Sequence, residues 1–294
     1  MEAQSALLVQ AISNGLQIGL LYALVAVGLT IIWGLMETIN FAHGELMMLA
    51  MFGAWWFSSR LGLDPLLMML PIALVIFVLG TLIYLLLMRR VQRGEVFTQI
   101  FATFGLLLFI QNSTVAAFTS DYRFVSNTVL TNLSGINLPL GGLRVGVPLL
   151  LGGLIALVLF IALYLLIDRT ELGLALQATS EDREAAILVG VKPQRMYMLA
   201  WGLGAALAAV AGVILANFFA VYPQVGLPFT ILAYAIVALG GFGSILGTLV
   251  AALVVGVVES LTALYLPPAF KDAFVFAAYI LVGLFRPQGL FGRF

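Results

Sequence analysis

Residues 229–258 read FTILAYAIVALGGFGSILGTLVAALVVGVV, about thirty consecutive positions without a charged side chain. As one helix the run would be about 45 Å long, against a bilayer hydrocarbon core of about 30 Å. Gly240, Gly241 and Gly243 interrupt its middle, followed by Ser244, and glycine permits backbone conformations that other residues resist. The segment predicts a broken or re-entrant pair of half-helices turning at Gly240–Ser244. A long tilted helix and two tightly linked full spans are the alternatives.

The rest of the chain has the same character. Of its 294 residues 63% are hydrophobic and 9% charged, with a mean hydropathy of +1.15. A soluble domain carries about 25% charged residues, so this chain is an integral membrane protein. Further apolar stretches predict spans near 9–34, 41–59, 66–88, 97–119, 147–167, 196–218 and 270–286. Runs of this length are helical, because barrel strands would alternate in polarity. The expected fold is therefore an all-α polytopic membrane protein, with about eight transmembrane helices and the broken Gly-rich segment, in one domain over 1–294. The start, MEAQSALLVQ, has no Lys or Arg before its first apolar run, which reads as a retained helix.

Composition also excludes functions. With 13 Lys+Arg against 13 Asp+Glu, the net charge is zero, which makes nucleic acid a poor partner. Zero Cys and one His leave no cysteine nucleophile, no disulfide and almost nothing for a metal site. An intramembrane enzyme would need a nucleophile with a base, or a metal cage; no catalytic residue and no cofactor are expected on this chain.

The basic residues are unevenly placed. Arg89, Arg90 and Arg93, then Arg169, Arg183, Lys192 and Arg195, and finally Arg286 and Arg293 fall in three connecting segments. Arg60, Arg123, Arg144 and Lys271 fall on the other side of the alternation. The positive-inside rule makes the first group cytoplasmic. That assignment is consistent only if 229–258 does not cross once. The same question attaches to 35–59 and leaves the side of the N-terminus open. Two stripes of small residues, Gly204–Ala208–Gly212 and Gly243–Gly247–Ala251, suit close helix packing within the chain, with a subunit interface as the alternative.

Segment 168–195, DRTELGLALQATSEDREAAILVGVKPQR, concentrates nine charged residues. Ser180 with Glu181, Asp182 and Arg183 predicts a capped helix start. Ala185, Ala186, Leu188 and Val189 give it a small apolar face, and Gly190 ahead of Lys192–Pro193 ends it. An amphipathic helix on the cytoplasmic face is expected.

Glu184-Ala185-Ala186, three residues, then Gly190 is similar to the EAA-xxx-G loop of bacterial ABC importer permeases. Its setting, with Thr170-Glu-Leu-Gly173, Ala178-Thr179 and Glu181-Asp-Arg-Glu184, resembles the branched-chain amino acid permeases. The resemblance continues in Tyr22-Ala-Leu…Gly28, Asn40-Phe-Ala-His-Gly44, Gly240-Gly-Phe-Gly-Ser244…Gly247 and Arg286-Pro-Gln-Gly-Leu-Phe291, so it covers nearly the whole chain. Gln177 departs from it, since many relatives carry Arg there. The resemblance implies a permease subunit of a bacterial inner-membrane importer. Its expected partners are a second, similar permease (a heterodimer), two cytoplasmic ATPase subunits carrying ATP and Mg, and an extracytoplasmic solute-binding protein. Glu184, Ala185, Ala186, Gly190, Gly173, Glu181, Asp182 and Arg183 would form the ATPase-coupling loop. The chain has no G-x-x-x-x-G-K-[ST] phosphate loop, so energy would come from another chain. The implied cargo is branched-chain or other apolar amino acids. Urea, short amides or aromatic carboxylates are alternatives, as is an autonomous secondary transporter or channel, which Gly-broken spans also suit.

Pathway or gate candidates are Asn40, His43 and Glu45, with Gly240, Gly241, Gly243 and Ser244. Ionisable groups near the bilayer point to function, while an interfacial hydrogen-bonded cluster is the bland alternative for His43. Gln111, Asn112, Ser113 and Thr114, and Asn14 with Gln17, either line a path or bond to neighbouring helices. Glu259 reads as interfacial, and Trp55 and Trp56 as part of an aromatic belt.

Overall fold

The computed structural model describes residues 2–92, 94–126, 128–133, 135–140 and 143–292; Arg93 and Arg293 of the basic group lie outside the described residues. In chain order it contains α1 (Glu2–Met36), α2 (His43–Leu61) and α3 (Pro65–Ile83), which runs through a π-helical turn (Tyr84–Met88) into α4 (Arg89–Val91). Then come α5 (Val96–Phe118), a short α6 (Val129–Asn132) and an antiparallel hairpin of β1 (Asn137–Leu140) and β2 (Leu143–Gly146). The second half holds α7 (Val147–Arg169), α8 (Glu171–Glu181), α9 (Arg183–Leu188), α10 (Pro193–Leu215), α11 (Gly226–Gly240), α12 (Ile245–Tyr265) and α13 (Lys271–Phe285). Six described helices are long and apolar enough to cross a bilayer. They are α1, the continuous Pro65–Val91 helix, α5, α7, α10 and α12. The protein is thus an all-α polytopic membrane protein, in which six described helices have the length and composition of a span and the shorter apolar α11 adds to them.

Helix α1 is the axis of the bundle, buried over most of its length from Leu21 to Ile32. Backbone-to-backbone approach sets its contacts. A Cβ on Gly15 would fall 2.7 Å from the Gly256 carbonyl oxygen of α12, and one on Gly28 would fall 2.5 Å from that of Gly204 in α10. The stripe Gly204–Ala208–Gly212 is fully turned inward, with Gly212 against Met47 of α2. Small residues therefore serve packing within this chain, where lipid supplies no hydrophobic drive for helix association.

The Gly-rich run breaks where expected. Helix α11 ends at Gly240, Gly241 and Gly243 take φ of +101° and +78°, and Ser244 caps α12 by accepting a bond from the Gly247 amide at 3.1 Å. The pair is unequal, which corrects the expectation of two half-helices: α11 has 15 residues and α12 has 21. Only α11 is short of a span, at about 22 Å. A second discontinuity lies at residues 37–42. Helix α1 closes with Glu37 in the left-handed region, φ 49°. The chain then climbs back until His43 reaches the Val25 carbonyl, eleven residues or about 16 Å above Met36. Helix α2 therefore starts in mid-bundle.

The three basic segments gather at one end. Arg89, Arg90 and Arg183 share a groove, Gln177 and Ser180 sit with Gly34 and Gly243, and the tail is bonded through Leu290 N to Leu239 O at 2.9 Å. Arg123 lies at the other end. It pairs by backbone with Val221, its guanidinium sits 4.7 Å over the Trp55 ring, and it donates to the Phe118 carbonyl. The start of α1 lies at that same end, with Gln10 and Asn14 beside Lys271. If the basic end is cytoplasmic, cysteines introduced into this Cys-free chain report it. In intact cells an impermeant maleimide should label Arg60→Cys and leave Lys192→Cys and Arg286→Cys unmodified. The reverse pattern overturns the orientation.

Candidate functional sites: a buried helix junction and a loop pair on the basic face

The first site is where the starts of α2 and α11 meet in mid-bundle. The Gly44 amide donates to Thr230 Oγ1 at 2.9 Å, and that hydroxyl donates to the Gly226 carbonyl at 3.2 Å. Asn40 prepares the turn into α2: its Oδ1 accepts from the Ala42 amide at 3.1 Å, while its backbone N–H donates to Tyr234 Oη at 2.5 Å. This is the side-chain-to-backbone turn that Asn forms readily. His43 Nε2 donates to the Val25 carbonyl at 2.9 Å. Asn40, His43 and Glu45 are all fully buried, and His43 sits eleven residues back along α1 from its end rather than at that end. The Glu45 carboxyl has no hydrogen-bond partner within the described chain. It stands beside the first turn of α11, with Oε1 2.8 Å from where a Gly226 Cβ would be.

Gly240, Gly241, Gly243 and Ser244 are not part of this junction. Gly243 packs on Gly34, nine residues and about 14 Å along α1 from Val25. The seven pathway candidates thus divide into a buried junction and a turn at the basic end, braced there by the tail and by Trp33 against Phe242 at 4.6 Å between ring centres. Sequence reading missed Thr230 and Tyr234, the two polar residues of an otherwise apolar α11. Their presence at spacing four was the available signal.

The second site is the connection between α7 and α10. Thr170 bends the chain: its hydroxyl donates to Leu166 O at 2.6 Å and accepts from Gly173 N at 3.2 Å. A Cβ on Gly173 would fall 2.1 Å from the Ile167 carbonyl oxygen, so only glycine lets α8 fold back so closely. Gln177 Nε2 donates to that same carbonyl at 3.0 Å, which gives the departure at this position a structural role.

Two helices stand where one was expected. Ser180 does not cap; its hydroxyl bonds back to Gln177 O inside α8. The cap of α9 is Asp182, whose Oδ1 accepts from Glu184 N at 2.8 Å and Ala185 N at 3.0 Å. Ser180 lies within the last turn of α8 and loses to a carboxylate placed at the break, where two free amides await an acceptor. Gly190 ends α9 with φ +91°, and Val191 N bonds Ala186 O at 3.0 Å. Glu181, Asp182, Arg183, Glu184 and Ala185 are exposed, but Ala186 is only 2% exposed and packs against its own chain. The outward apolar surface is instead Ile187, Leu188 and Val189, the last two 88% and 78% exposed.

Three of the remaining polar candidates are tied to their own helices, and a fourth to its neighbour. Asn112 Nδ2 donates to Leu108 O and Thr114 to Ile110 O. Gln17 bonds Ser13. Glu259 is paired with Lys271 at 2.7 Å. Among the described residues no group of acidic and histidine side chains is arranged to hold a metal.

A family profile described as "Branched-chain amino acid transport system / permease component" matches residues 11–283. The chain is 32% identical over 293 residues to the high-affinity branched-chain amino acid transport system permease protein BraD of Pseudomonas aeruginosa, covering 97% of this chain and 95% of that one. It is 30% identical over 304 residues to the corresponding protein LivH of Escherichia coli K12, covering 100% and 98%. A probable LivH of Methanocaldococcus jannaschii is 27% identical over 280 residues, covering 92% and 89%. No solved structure matches.

Proposed function

Because this chain belongs to the family of permease components of branched-chain amino acid transport systems, we propose that it is one membrane-spanning subunit of an ATP-driven importer of branched-chain amino acids. The protein is a multi-pass inner-membrane permease, and it contains no phosphate loop of its own. In this reading a second, similar permease completes the pathway, and two cytoplasmic ATPases, which hold ATP and Mg, supply the energy. A solute-binding protein delivers cargo at the other face. The observation that carries the reading is the α9 tip. Ile187, Leu188 and Val189 stand out from a strongly charged loop on the basic face, and such an apolar surface calls for a cover. The EAA-like Glu184, Ala185 and Gly190 border it, and a groove on the ATPase fits as that cover.

The test is reconstitution of the co-purified complex in liposomes. With the binding protein outside and ATP on the ATPase side, L-leucine should accumulate against its gradient, and omitting ATP or the binding protein should abolish accumulation. Uptake that proceeds without an ATPase chain would overturn the reading in favour of an autonomous transporter.

A further inference from the structure

Two cavities open at the end of the bundle opposite the basic face, and one ion pair lines both. One cavity, about 400 Å³, has a mixed wall that includes Gln10, Asn14 and Ser260 beside Ile18 and Leu149. The other, about 530 Å³, is walled mainly by Tyr22, Phe219, Phe229, Val275 and Phe276, and reaches the start of α11 at Val225 and Pro228. Glu259 at the end of α12 and Lys271 at the start of α13 belong to the wall of each. Lys271 Nζ donates to Glu259 Oε1 at 2.7 Å, with the Glu259 side chain 13% exposed and that of Lys271 37% exposed. Asp272 adds a second carboxylate to the apolar cavity.

We propose that the Glu259–Lys271 pair is a gate between these cavities, and that the apolar cavity with the two opened charges is a transit site for a zwitterion bearing an aliphatic side chain. The inference rests on the importer reading above. Its logic is charge exchange. Separating a half-buried ion pair is costly when it leaves uncompensated charges. An α-amino acid carries one ammonium and one carboxylate, so it replaces what it displaces: its ammonium takes the place of Lys271 on Glu259, with Asp272 near, and its carboxylate meets the released Lys271. The aliphatic side chain then leaves water for the aromatic wall, worth about 1.5–3 kcal/mol for full burial of a Val- or Leu-sized group. An ion or a simple apolar solute offers only one half of this exchange. The cavity volume lies within the range of small-molecule sites. No covalent step is involved.

The gate is tested by fixing it. Glu259→Cys with Lys271→Cys, in the whole complex, is joined by a short bis-methanethiosulfonate linker, with the parental complex treated alike. L-leucine passage through the double-cysteine complex, ATP-driven and leaked together, should fall at least about tenfold on cross-linking and return on reduction. Cross-linked complex that imports leucine at its uncross-linked rate overturns the proposal. As a second variant, E259Q/K271M removes the pair without a tether. If the ATPases still co-purify, leucine should leak through without ATP or coupled uptake should fall at least about tenfold. Parental behaviour on both counts overturns the gate. Should the parental complex itself fail to take up leucine, the importer reading fails instead, so the two failures are distinguishable.

Discussion

Replacing Gly44 with valine should leave little folded permease in the membrane. At this position the first turns of α2 and α11 touch backbone to backbone: a Cβ would fall 2.0 Å from the Gly226 carbonyl oxygen and 2.3 Å from Thr230 Oγ1. Neither atom is the free end of a flexible chain, since Thr230 Oγ1 also accepts from the Gly44 amide. Overpacking costs about 1–3 kcal/mol where side chains can shift. Here α11 itself must move, and with it goes a buried hydrogen bond worth about 1 kcal/mol. A total of about 3 kcal/mol or more is comparable with the whole margin of many proteins. Gly105→Val is the control, because nothing lies within 4 Å of its Cβ position, and its effect should stay within about 0.5 kcal/mol apart from helix propensity. Fluorescence-detected size exclusion and thermal melts of detergent extracts read both. A monodisperse, parental-level peak for Gly44→Val would mean that the two helix starts are not locked together as described.

The second large effect concerns coupling. Converting Leu188 and Val189 together to glutamate should release the ATPases and reduce leucine uptake more than tenfold while the bundle keeps its fold. Both side chains are largely exposed, so the fold loses little. Against a partner groove, each would lose up to about 1.5–3 kcal/mol of burial, and about 3 kcal/mol alone is more than a hundredfold in affinity. Ala186→Asp is no substitute for this experiment. With Ala186 at 2% exposure, that change buries a carboxylate against the chain itself and disturbs α9 directly. Co-purification of the ATPases with the double variant, at parental uptake, would show that the α9 tip is not the docking end.

Local composition was enough to fix the solvent of this protein and the positions of its breaks. Apolar runs of span length without charge leave no fold but a helical bundle in lipid, and these properties are local: each can be read in a window of about twenty residues. Gly190 and the glycines at 240–243 announced chain reversals because a positive φ is a property of one residue. The ends of α9 were less legible, since Ser180 and Asp182 are both good caps and only the observed break at Asp182 chooses between them.

Tertiary structure decided the rest, because depth and partnership depend on residues far apart in the chain. His43 is read as interfacial or buried with equal ease until the climb of 37–42 puts it beside Val25. Ala186 and Leu188 are both small-to-medium apolar residues of one short helix, and packing against the bundle turned one inward and left the other out. Glu259 gains its meaning from Lys271, twelve residues on and across a helix end. A side chain's type is fixed by the sequence, but the cost of its environment is fixed by what the fold sets against it.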